Sequence, residues 1–333
     1  MKAPVLAIYD IKEEYVNRLI SLFQRKTALP FELHGFTNQE KLEDFLQGKE
    51  IEILMLTETV YQDTFRQKSI KKLMVLTEQK ETVIEEVCCI YKYQAAEMLY
   101  REMMQWYGEC ESAVPLKRKN ASSLQIIGIY SPIHRVLQTT LAITMGQVLA
   151  EKKKVLYVNF ECFSGLEILM GQKFSGNFTD LLYYYQCAKE KLPYKLEGIV
   201  QSLNGLHIIP PALSYEDYES FHGNEWITIL KDIGKAGGYD VLILDLSEQV
   251  RGLFQLLESC NDIFTIVSDD RMAKAKLAQY ELLLRREHCD DVWNHTVKYE
   301  LPFFKCLPSE LERLSRCELA LHAKQMLQEV GYM

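Results

Sequence analysis

The chain has 333 residues, about twice the length of an ordinary domain, so we expect two domains. Hydrophobic residues make up 48% of the chain and charged residues 25%, a composition that excludes a disordered or collagen-like protein. The 46 acidic residues outnumber the 38 lysines and arginines, and the resulting net charge of −8 argues against a nucleic-acid partner.

No part of the sequence approaches the roughly 18 consecutive apolar residues that a membrane span requires, and its first residues show no signal sequence. We therefore expect a cytoplasmic protein without direct membrane insertion. The nine cysteines are scattered and form no CxxC pair, so neither a zinc ribbon nor a redox dithiol is indicated.

In residues 1–107, apolar segments of strand length alternate with segments of helical period. The predicted strands are VLAIYD, FELHGF, IEILMLT, KKLMVLT and VCCIYKY, and the predicted helices are 13–23, 39–47 and 95–106. Strands that are apolar throughout are typical of a parallel sheet covered on both faces. The sequence thus predicts a first α/β domain, doubly wound around a small parallel sheet.

Several polar residues stand at the ends of these strands, in an order that resembles a response-regulator receiver domain. Asp10 stands where the acidic metal cluster of receivers begins, Thr77 where they place a hydroxyl residue, and Lys92 where they keep a lysine. The position of the phosphoacceptor aspartate falls on Thr57, although phosphoryl transfer needs a carboxylate nucleophile beside a cation. A one-residue slip to Glu58 would turn the carboxylate to the other face of the strand. We expect these residues to be receiver remnants that accept no phosphate.

Residues 108–123 lose the periodic pattern and combine Gly, Pro, Ser and Asn with the basic triplet Lys117, Arg118 and Lys119. This composition is typical of a linker. So short a basic run in a polar connector does not indicate a nucleic-acid site.

Residues 124–333 follow a second α/β pattern. The predicted strands are LQIIGIYS, VLYVNF, GLHIIP, VLILDL and IFTIVS, with a strongly periodic helix at 137–151. At least five buried strands separated by helices indicate a doubly wound sheet. The first strand, a short loop and a helix beginning at Thr139 and Thr140 have the layout of a phosphate-binding P-loop.

This region resembles the deviant-Walker ATPases of the ParA and MinD group. Their loop S-P-K-G-G-V-G-K-T-T aligns with SPIHRVLQTT at residues 131–140, their D-x-D strand end with NFE at 159–161, and their Walker B aspartate with Asp245. The resemblance implies that Thr139 and Asp245 hold magnesium only if a magnesium nucleotide binds. The residues it assigns to a degenerate nucleotide site are Arg135, Gln138, Thr139, Thr140, Glu161 and Asp245.

The loop departs from that pattern at five positions. The three glycines are replaced by His134, Arg135 and Leu137, although glycine adopts the required backbone angles and lets amides approach phosphate. Both lysines, which grip the terminal phosphates, are replaced by Ile133 and Gln138. We therefore expect no cofactor, no ATP hydrolysis and no catalytic residue, with magnesium-ATP binding as the alternative.

A second interpretation of the retained polar residues stays open. Thr139 and Thr140 are also suited to cap the helix N-terminus, and Asp245 to be a strand-end carboxylate bound by local amides.

Three further segments bear on the surface. Consecutive tyrosines at 183–185 cannot all face one core, since helix positions turn by about 100° each, so at least one should be exposed. The amphipathic segment 311–330 carries several glutamates, unlike the basic membrane helix of MinD-like proteins, and we expect it to pack on its domain. The following basic residues recur on one predicted helix and are interpreted as a solvated face: Arg271, Lys274, Lys276, Arg285 and Arg286.

A receiver-like domain followed by a ParA/MinD-like domain is the arrangement of the TadZ and CpaE proteins. That resemblance implies a non-enzymatic localisation or scaffolding factor for Flp-type (Tad) pilus or secretion machinery. It further implies a homodimer, pilus or secretion assembly components as partners, and a position at a cell pole through those partners. The alternative is an ATP-binding dimerisation switch acting in polar positioning or partitioning. We also expect the altered loop, with Ile133 and His134, to pack directly on a second copy, together with the tyrosines at 183–185.

Overall fold

In the computed structural model, the described residues are 3–26, 29–67, 69–110, 123–134 and 137–333. The chain divides into two compact units, Met1–Arg118 and Lys119–Met333. The expected linker at 108–123 lies largely outside the described residues, as do Lys117, Arg118 and Lys119.

The first unit contains a five-stranded parallel sheet with the order β2-β1-β3-β4-β5. Its strands are β1 (Val5–Tyr9), β2 (Glu32–Phe36), β3 (Ile51–Thr57), β4 (Ile70–Thr77) and β5 (Cys88–Tyr91). Its helices are α1 (Glu13–Gln24), α2 (Gln39–Gly48) and α3 (Ala96–Glu109). All of the strands and helices predicted for this unit are confirmed, with ends that differ by a few residues at most.

Every residue of β1 and β3 is buried, which explains why their sequences are apolar without alternation. α1 covers the sheet through Val16, Leu19 and Phe23, whose spacing places them on one helix face. After β3 the chain forms 3₁₀ turns at Glu58–Val60 and Asp63–Gln67, and residues 78–87 between β4 and β5 contain no α-helix. This half of the sheet is therefore connected by turns, unlike the β1–α1–β2–α2–β3 half.

The second unit contains a seven-stranded sheet with the order β12-β11-β6-β10-β7-β9-β8. Its strands are β6 (Gln125–Ile129), β7 (Val155–Asn159), β8 (Gln201–Leu203), β9 (Leu206–Ile208), β10 (Val241–Asp245), β11 (Asp262–Val267) and β12 (Thr296–Glu300). Its helices are α4 (Gln138–Ala150), α5 (Leu166–Leu169), α6 (Phe178–Cys187), α7 (Leu192–Ile199), α8 (Gly223–Gly237), α9 (Leu253–Glu258), α10 (Arg271–Arg286), α11 (Asp290–Asn294) and α12 (Glu318–Glu329). Neighbouring strands are parallel except for β8 and β9.

All five strands predicted for this unit are present, and the structure adds β8 and β12. β8 and β9 form an antiparallel hairpin whose two connecting residues, Asn204 and Gly205, both have positive φ, 50° and 85°. Asn-Gly is the preferred pair for such a turn because both residues tolerate the left-handed region. That dipeptide was the available signal for the hairpin.

Helices cover both faces of this sheet. On one face α4 packs with α12, whose buried residues include Leu319, Ala323 and Leu327, so the prediction that the C-terminal segment packs on its domain is confirmed. On the other face α8 buries Trp226 and Ile229 in a second core. No helix within the described ranges is long and apolar enough to cross a membrane.

Candidate functional site

The polar centre of the second unit is Asp245, at the carboxyl end of the central strand β10. It is fully buried, and four neutral groups donate hydrogen bonds to its carboxylate. Gln138 Nε2 reaches Oδ1 at 2.7 Å, whereas Thr139 Oγ1 at 2.7 Å and Tyr157 OH at 2.8 Å reach Oδ2. Asn159 Nδ2 lies 3.2 Å from Oδ2 as well. The structure thus brings together five residues that the sequence distributes over 108 positions.

Gln138 is the first residue of α4 and connects the loop to two strands. Its Oε1 accepts a hydrogen bond from the Ser131 amide at 3.0 Å, and its Nε2 also donates to the Leu246 carbonyl at 2.9 Å and to Glu161 Oε1 at 3.2 Å. Among the described residues no cation pairs with Asp245 or Glu161. A neutral amide therefore occupies the position where the ParA/MinD resemblance places a lysine.

Burial controls the ionisation of both carboxyl groups. It raises the pKa of Asp245, and the four hydrogen bonds oppose that rise without cancelling it. The pKa of Glu161 is raised to about 7. Burial is the largest cause, and the charges of Asp245 and Glu248 add to it. Glu161 therefore keeps its proton to a higher pH than an ordinary glutamate, which reduces its repulsion with Asp245.

The loop before α4 retains left-handed backbone at two of the positions where the resemblance has glycine. His134 has φ of 51° and Leu137 has φ of 87°, conformations that are strained for residues with a Cβ atom. Ile133 is 4% exposed, so it is unavailable for the expected direct contact with a second copy, and that expectation is wrong for Ile133. Arg135, a predicted site residue, lies outside the described residues.

The interpretation of the two threonines as helix caps is also wrong. The N-cap of α4 is Leu137, which has no side-chain acceptor, and Thr139 instead donates to Asp245. Thr140 contributes its carbonyl to a hydrogen bond from Thr144 Oγ1 at 2.6 Å. The Asp245 carboxylate is satisfied by side chains and not by the local amides that we expected.

Sequence reasoning missed Tyr157 as a member of this site. Tyr157 and Asn159 lie on the same face of β7, and the Asn159 amide donates to the Tyr157 hydroxyl at 2.7 Å. The pKa of Tyr157 is raised well above its ordinary value, mainly by burial and next by the charge of Asp245. Its hydroxyl therefore stays protonated and remains a donor. A tyrosine two residues before a strand-end asparagine, in an otherwise aliphatic strand, was the only signal.

The polar centre of the first unit is a buried ion pair between Asp10 and Lys92. Lys92 Nζ lies 3.0 Å from Asp10 Oδ2, and the Lys12 amide donates to Asp10 Oδ1 at 2.7 Å. Thr57, at the end of the neighbouring strand β3, also hydrogen-bonds the carboxylate. Burial alone would raise the pKa of Asp10, but the hydrogen bonds from Lys12, Lys92 and Thr57 together lower it below its ordinary value.

The remaining two strand-end residues point elsewhere. Thr77 Oγ1 donates to the Gln79 carbonyl at 2.9 Å, and Glu58 Oε2 accepts a hydrogen bond from the Glu78 amide at 2.9 Å. Asp10, Thr57 and Lys92 are therefore brought together, whereas Thr77 and Glu58 make local contacts.

Residues 1–108 match the model of a known family, described as the TadZ-like receiver domain. The first unit is therefore similar to the TadZ-like receiver domain. In this unit Lys92 reaches across the sheet to Asp10, and Thr57 contributes a hydroxyl, not a carboxylate, beside Asp10.

The chain is also similar to several solved structures. A ParA family ATPase from Chlorobium tepidum TLS is 14% identical, with a TM-score of 0.48, over 64% of this chain and 100% of the other. For apo McdA from Cyanothece the identity is 15%, the TM-score 0.41 and the coverage 62% and 82%. The MinD cell division protein of Aquifex aeolicus is 17% identical, with a TM-score of 0.39, over 52% of this chain and 67% of the other. No curated protein sequence matches the chain.

The chain thus has a first unit that matches the TadZ-like receiver domain, followed by a second α/β unit with a mainly parallel sheet.

Proposed function

We propose that this protein is a non-enzymatic localisation and scaffolding factor for Flp-type (Tad) pilus or secretion machinery. In this role the second unit supplies a fixed surface and performs no ATP hydrolysis. The protein would act in the cytoplasm and reach a cell pole through its partners.

The observation that carries the proposal is the hydrogen-bonded state of Gln138. Its amide is held by the Ser131 amide, the Leu246 carbonyl and the carboxylates of Asp245 and Glu161. A side chain with all its donors and its acceptor engaged inside the protein is not free to bind a phosphate, and it carries no charge to attract one. Hydrolysis would also lack the cation that stabilises the charge of phosphoryl transfer.

The TadZ-like receiver domain supports the same role. Its site offers one carboxylate, Asp10, and that carboxylate is already neutralised by Lys92. A phosphorylation switch needs a second carboxylate as nucleophile, for which Thr57 is no substitute. A domain that cannot be phosphorylated is suited to binding a partner without regulation by phosphate.

We propose that the scaffold is a homodimer formed along the carboxyl edge of the second sheet. Phe163 and Leu213, which follow β7 and β9 at this edge, are both 90% exposed, and the neighbouring segment Tyr215–Ser220 contains three acidic residues. On the other side of the central strands, α10 begins with the basic residue Arg271 and the exposed Met272. A two-fold axis near residues 131–134 would bring the acidic apolar side of one copy to the basic apolar side of the other, which favours association.

The alternative function is a magnesium-ATP-dependent dimerisation switch, and one observation favours it. Thr139 Oγ1 lies 2.7 Å from Asp245 Oδ2, so a hydroxyl and a carboxylate that fit a magnesium ion are adjacent. The left-handed loop backbone at His134 and Leu137 is a second feature of a phosphate-binding loop. These residues would hold the metal, but Gln138 would first have to leave its four partners.

Affinity capture of the full-length protein from its native cell, followed by mass spectrometry, tests the proposed role. Recovery of the pilus secretion ATPase or of inner-membrane pilus components supports the scaffold. Recovery of chromosome-segregation proteins alone would overturn it and favour partitioning. Isothermal titration with magnesium-ATP separates the two mechanisms, since a scaffold gives no binding heat and a switch gives saturable binding.

A further inference from the structure

One edge of the first sheet is left partly open. β4 pairs with β3 from Ile70 onward, whereas β5 pairs only with the second half of β4, from Met74 to Thr77. Among the described residues, no strand pairs with residues 70–73 on the side away from β3, and we call this stretch the open edge. Unpaired backbone N–H and C=O groups at a sheet edge are a template for a further strand.

A strained turn precedes β5. Glu86, two residues before β5 begins at Cys88, has φ of 59°, in the left-handed region that residues with a Cβ atom rarely adopt. The carbonyl of the preceding residue, Glu85, accepts a hydrogen bond from Arg66 Nη2 at 2.7 Å. The chain is therefore fixed in a turn just before it joins the sheet opposite Met74, and it does not continue along the open edge.

A cavity of about 630 Å³ lies along the open edge. All four residues of the open edge line it, as do residues 83–88. Phe65, Leu73, Ile84 and Val87 give the cavity an apolar lining and belong to one hydrophobic cluster. Val83, at its rim, is 86% exposed. A sheet edge supplies main-chain hydrogen bonds to a bound strand, and a neighbouring pocket selects its side chains.

The charged residues of the cavity carry both signs. Arg66 lies 4.0 Å from Glu86, and Lys71 lies 3.1 Å from a carboxylate of β3. Lys72 and Glu85 remain, one cation and one anion, neither with an ion-pair partner in the described part of the chain. The lining therefore favours neither an anionic nor a cationic ligand, and an uncharged apolar segment is complementary to it.

A second copy of the chain is a poor occupant of the open edge. Two such edges paired antiparallel about a two-fold axis would set Ile70 opposite Leu73 and Lys71 opposite Lys72. Like charges directly opposite each other are destabilising, and lysines on an open edge oppose such pairing. The occupant is therefore expected to be a different protein.

We propose that the open edge binds an extended apolar segment of a partner protein, which adds a short strand beside residues 70–73 and places an aliphatic side chain in the cavity. The inference rests on the proposed scaffolding role, because it names the surface through which the first unit holds a partner.

In the test, the photo-cross-linking amino acid p-benzoylphenylalanine replaces Val83 in the full-length protein in its native cell, and mass spectrometry identifies the linked segment. We expect a segment of another protein that is apolar over the length of the open edge. The same amino acid in place of Ile11 is the control, because Ile11 is 63% exposed on the same unit and does not line the cavity. It should give no link to that segment.

A synthetic peptide of the linked segment then tests the strand pairing itself. With the peptide bound, amides within residues 70–73 should exchange hydrogen about tenfold more slowly, since pairing adds main-chain hydrogen bonds. Val83→Asp should weaken peptide binding about fivefold, because it places a charge at the mouth of an apolar cavity. Ile11→Asp is the matched control and should keep the affinity of the unmodified protein.

The following outcomes would each overturn the proposal: no link from position 83, a link only to the same chain, a second copy, lipid or nucleic acid, unchanged exchange at residues 70–73, or unchanged affinity in Val83→Asp. Recovery of pilus components by affinity capture would still support the scaffolding role in each of these cases, so the two failures are distinguishable.

Discussion

Gln138 Nε2 lies 2.7 Å from Asp245 Oδ1, so the first residue of α4 is hydrogen-bonded to the last residue of β10. A lysine at this position would carry a charge, whereas the glutamine satisfies the buried carboxylate without one. A neutral side-chain donor therefore connects the start of α4 to the end of β10.

Hydrolysis of ATP should be absent. Phosphate release by the purified protein with magnesium-ATP should equal that of Asp245→Asn, which keeps an acceptor at the same place. The physical reason is that no described cation faces the site to stabilise phosphoryl transfer. Turnover in the unmodified protein that disappears in Asp245→Asn would contradict this expectation.

Glu161→Gln should stabilise the second unit at neutral pH. The pKa of Glu161 is raised from 4.5 to about 7 in the folded protein, so the folded state prefers the protonated form. Ionisation of Glu161 therefore lowers the stability of the unmodified protein as the pH rises from about 4.5 to about 7. Above about pH 7 it has no further effect. Each pKa unit corresponds to about 1.4 kcal/mol, and because Glu161 is only half-buried we expect a gain of about 1 kcal/mol at pH 8.

Chemical denaturation at pH 4.5 and pH 8 measures this difference. The amide of the variant can still accept the hydrogen bond from Gln138, so the two proteins should differ little at pH 4.5. Glu190→Gln, which changes an exposed carboxylate of the same unit, is the control and should have no such pH dependence. A Glu161→Gln variant that gains equally at both pH values would show that ionisation is not the cause.

Lys92→Met should destabilise the receiver domain by about 3 kcal/mol, because it leaves the buried Asp10 carboxylate without its cation. The double variant Asp10→Asn with Lys92→Met should recover part of this loss. Lys12→Met is the control, since Lys12 contributes only its backbone amide to Asp10. The pKa of Asp10 is lowered on folding, so its contribution is present above about pH 4 and is lost as the pH falls through the lowered pKa. Equal stability of Lys92→Met and the unmodified protein at pH 7 would contradict the importance of the pair.

The receiver domain should form no phosphoryl adduct. Incubation with acetyl phosphate and magnesium, followed by intact-mass measurement, should leave the mass unchanged because Thr57 provides no carboxylate nucleophile. A stoichiometric increase of one phosphoryl group that maps to residues 1–108 would refute the expectation.

Phe163→Asp should weaken the proposed nucleotide-free dimer, since it places a charge where an exposed aromatic side chain would be buried against a second copy. Light scattering over a range of concentrations, with and without magnesium-ATP, measures the mass. Leu321→Asp is the control, because Leu321 is exposed on α12 and is not part of the proposed dimer surface. A protein that is monomeric until magnesium-ATP is added would instead support the dimerisation switch.

The positions of the strands were available from the sequence because β1, β3, β6, β7 and β10 are covered by helices on both faces. Burial on both faces requires an apolar residue at nearly every position, and this requirement is visible in the sequence as a continuous run. The sequence also showed that both loop lysines are missing and that Thr57 stands at the position of the receiver nucleophile. Each of these changes removes a charge at a single position.

The tertiary structure alone decided how the remaining polar groups are satisfied. Tyr157 and Asp245 are 88 residues apart, and their hydrogen bond depends on the register between β7 and β10. Likewise, Ile133 is apolar, as residues at interface cores often are, but it is buried within its own unit. Hydrogen-bond partners and burial depend on which strands become neighbours, and a local pattern of residue types carries no information about neighbours that are distant in the chain.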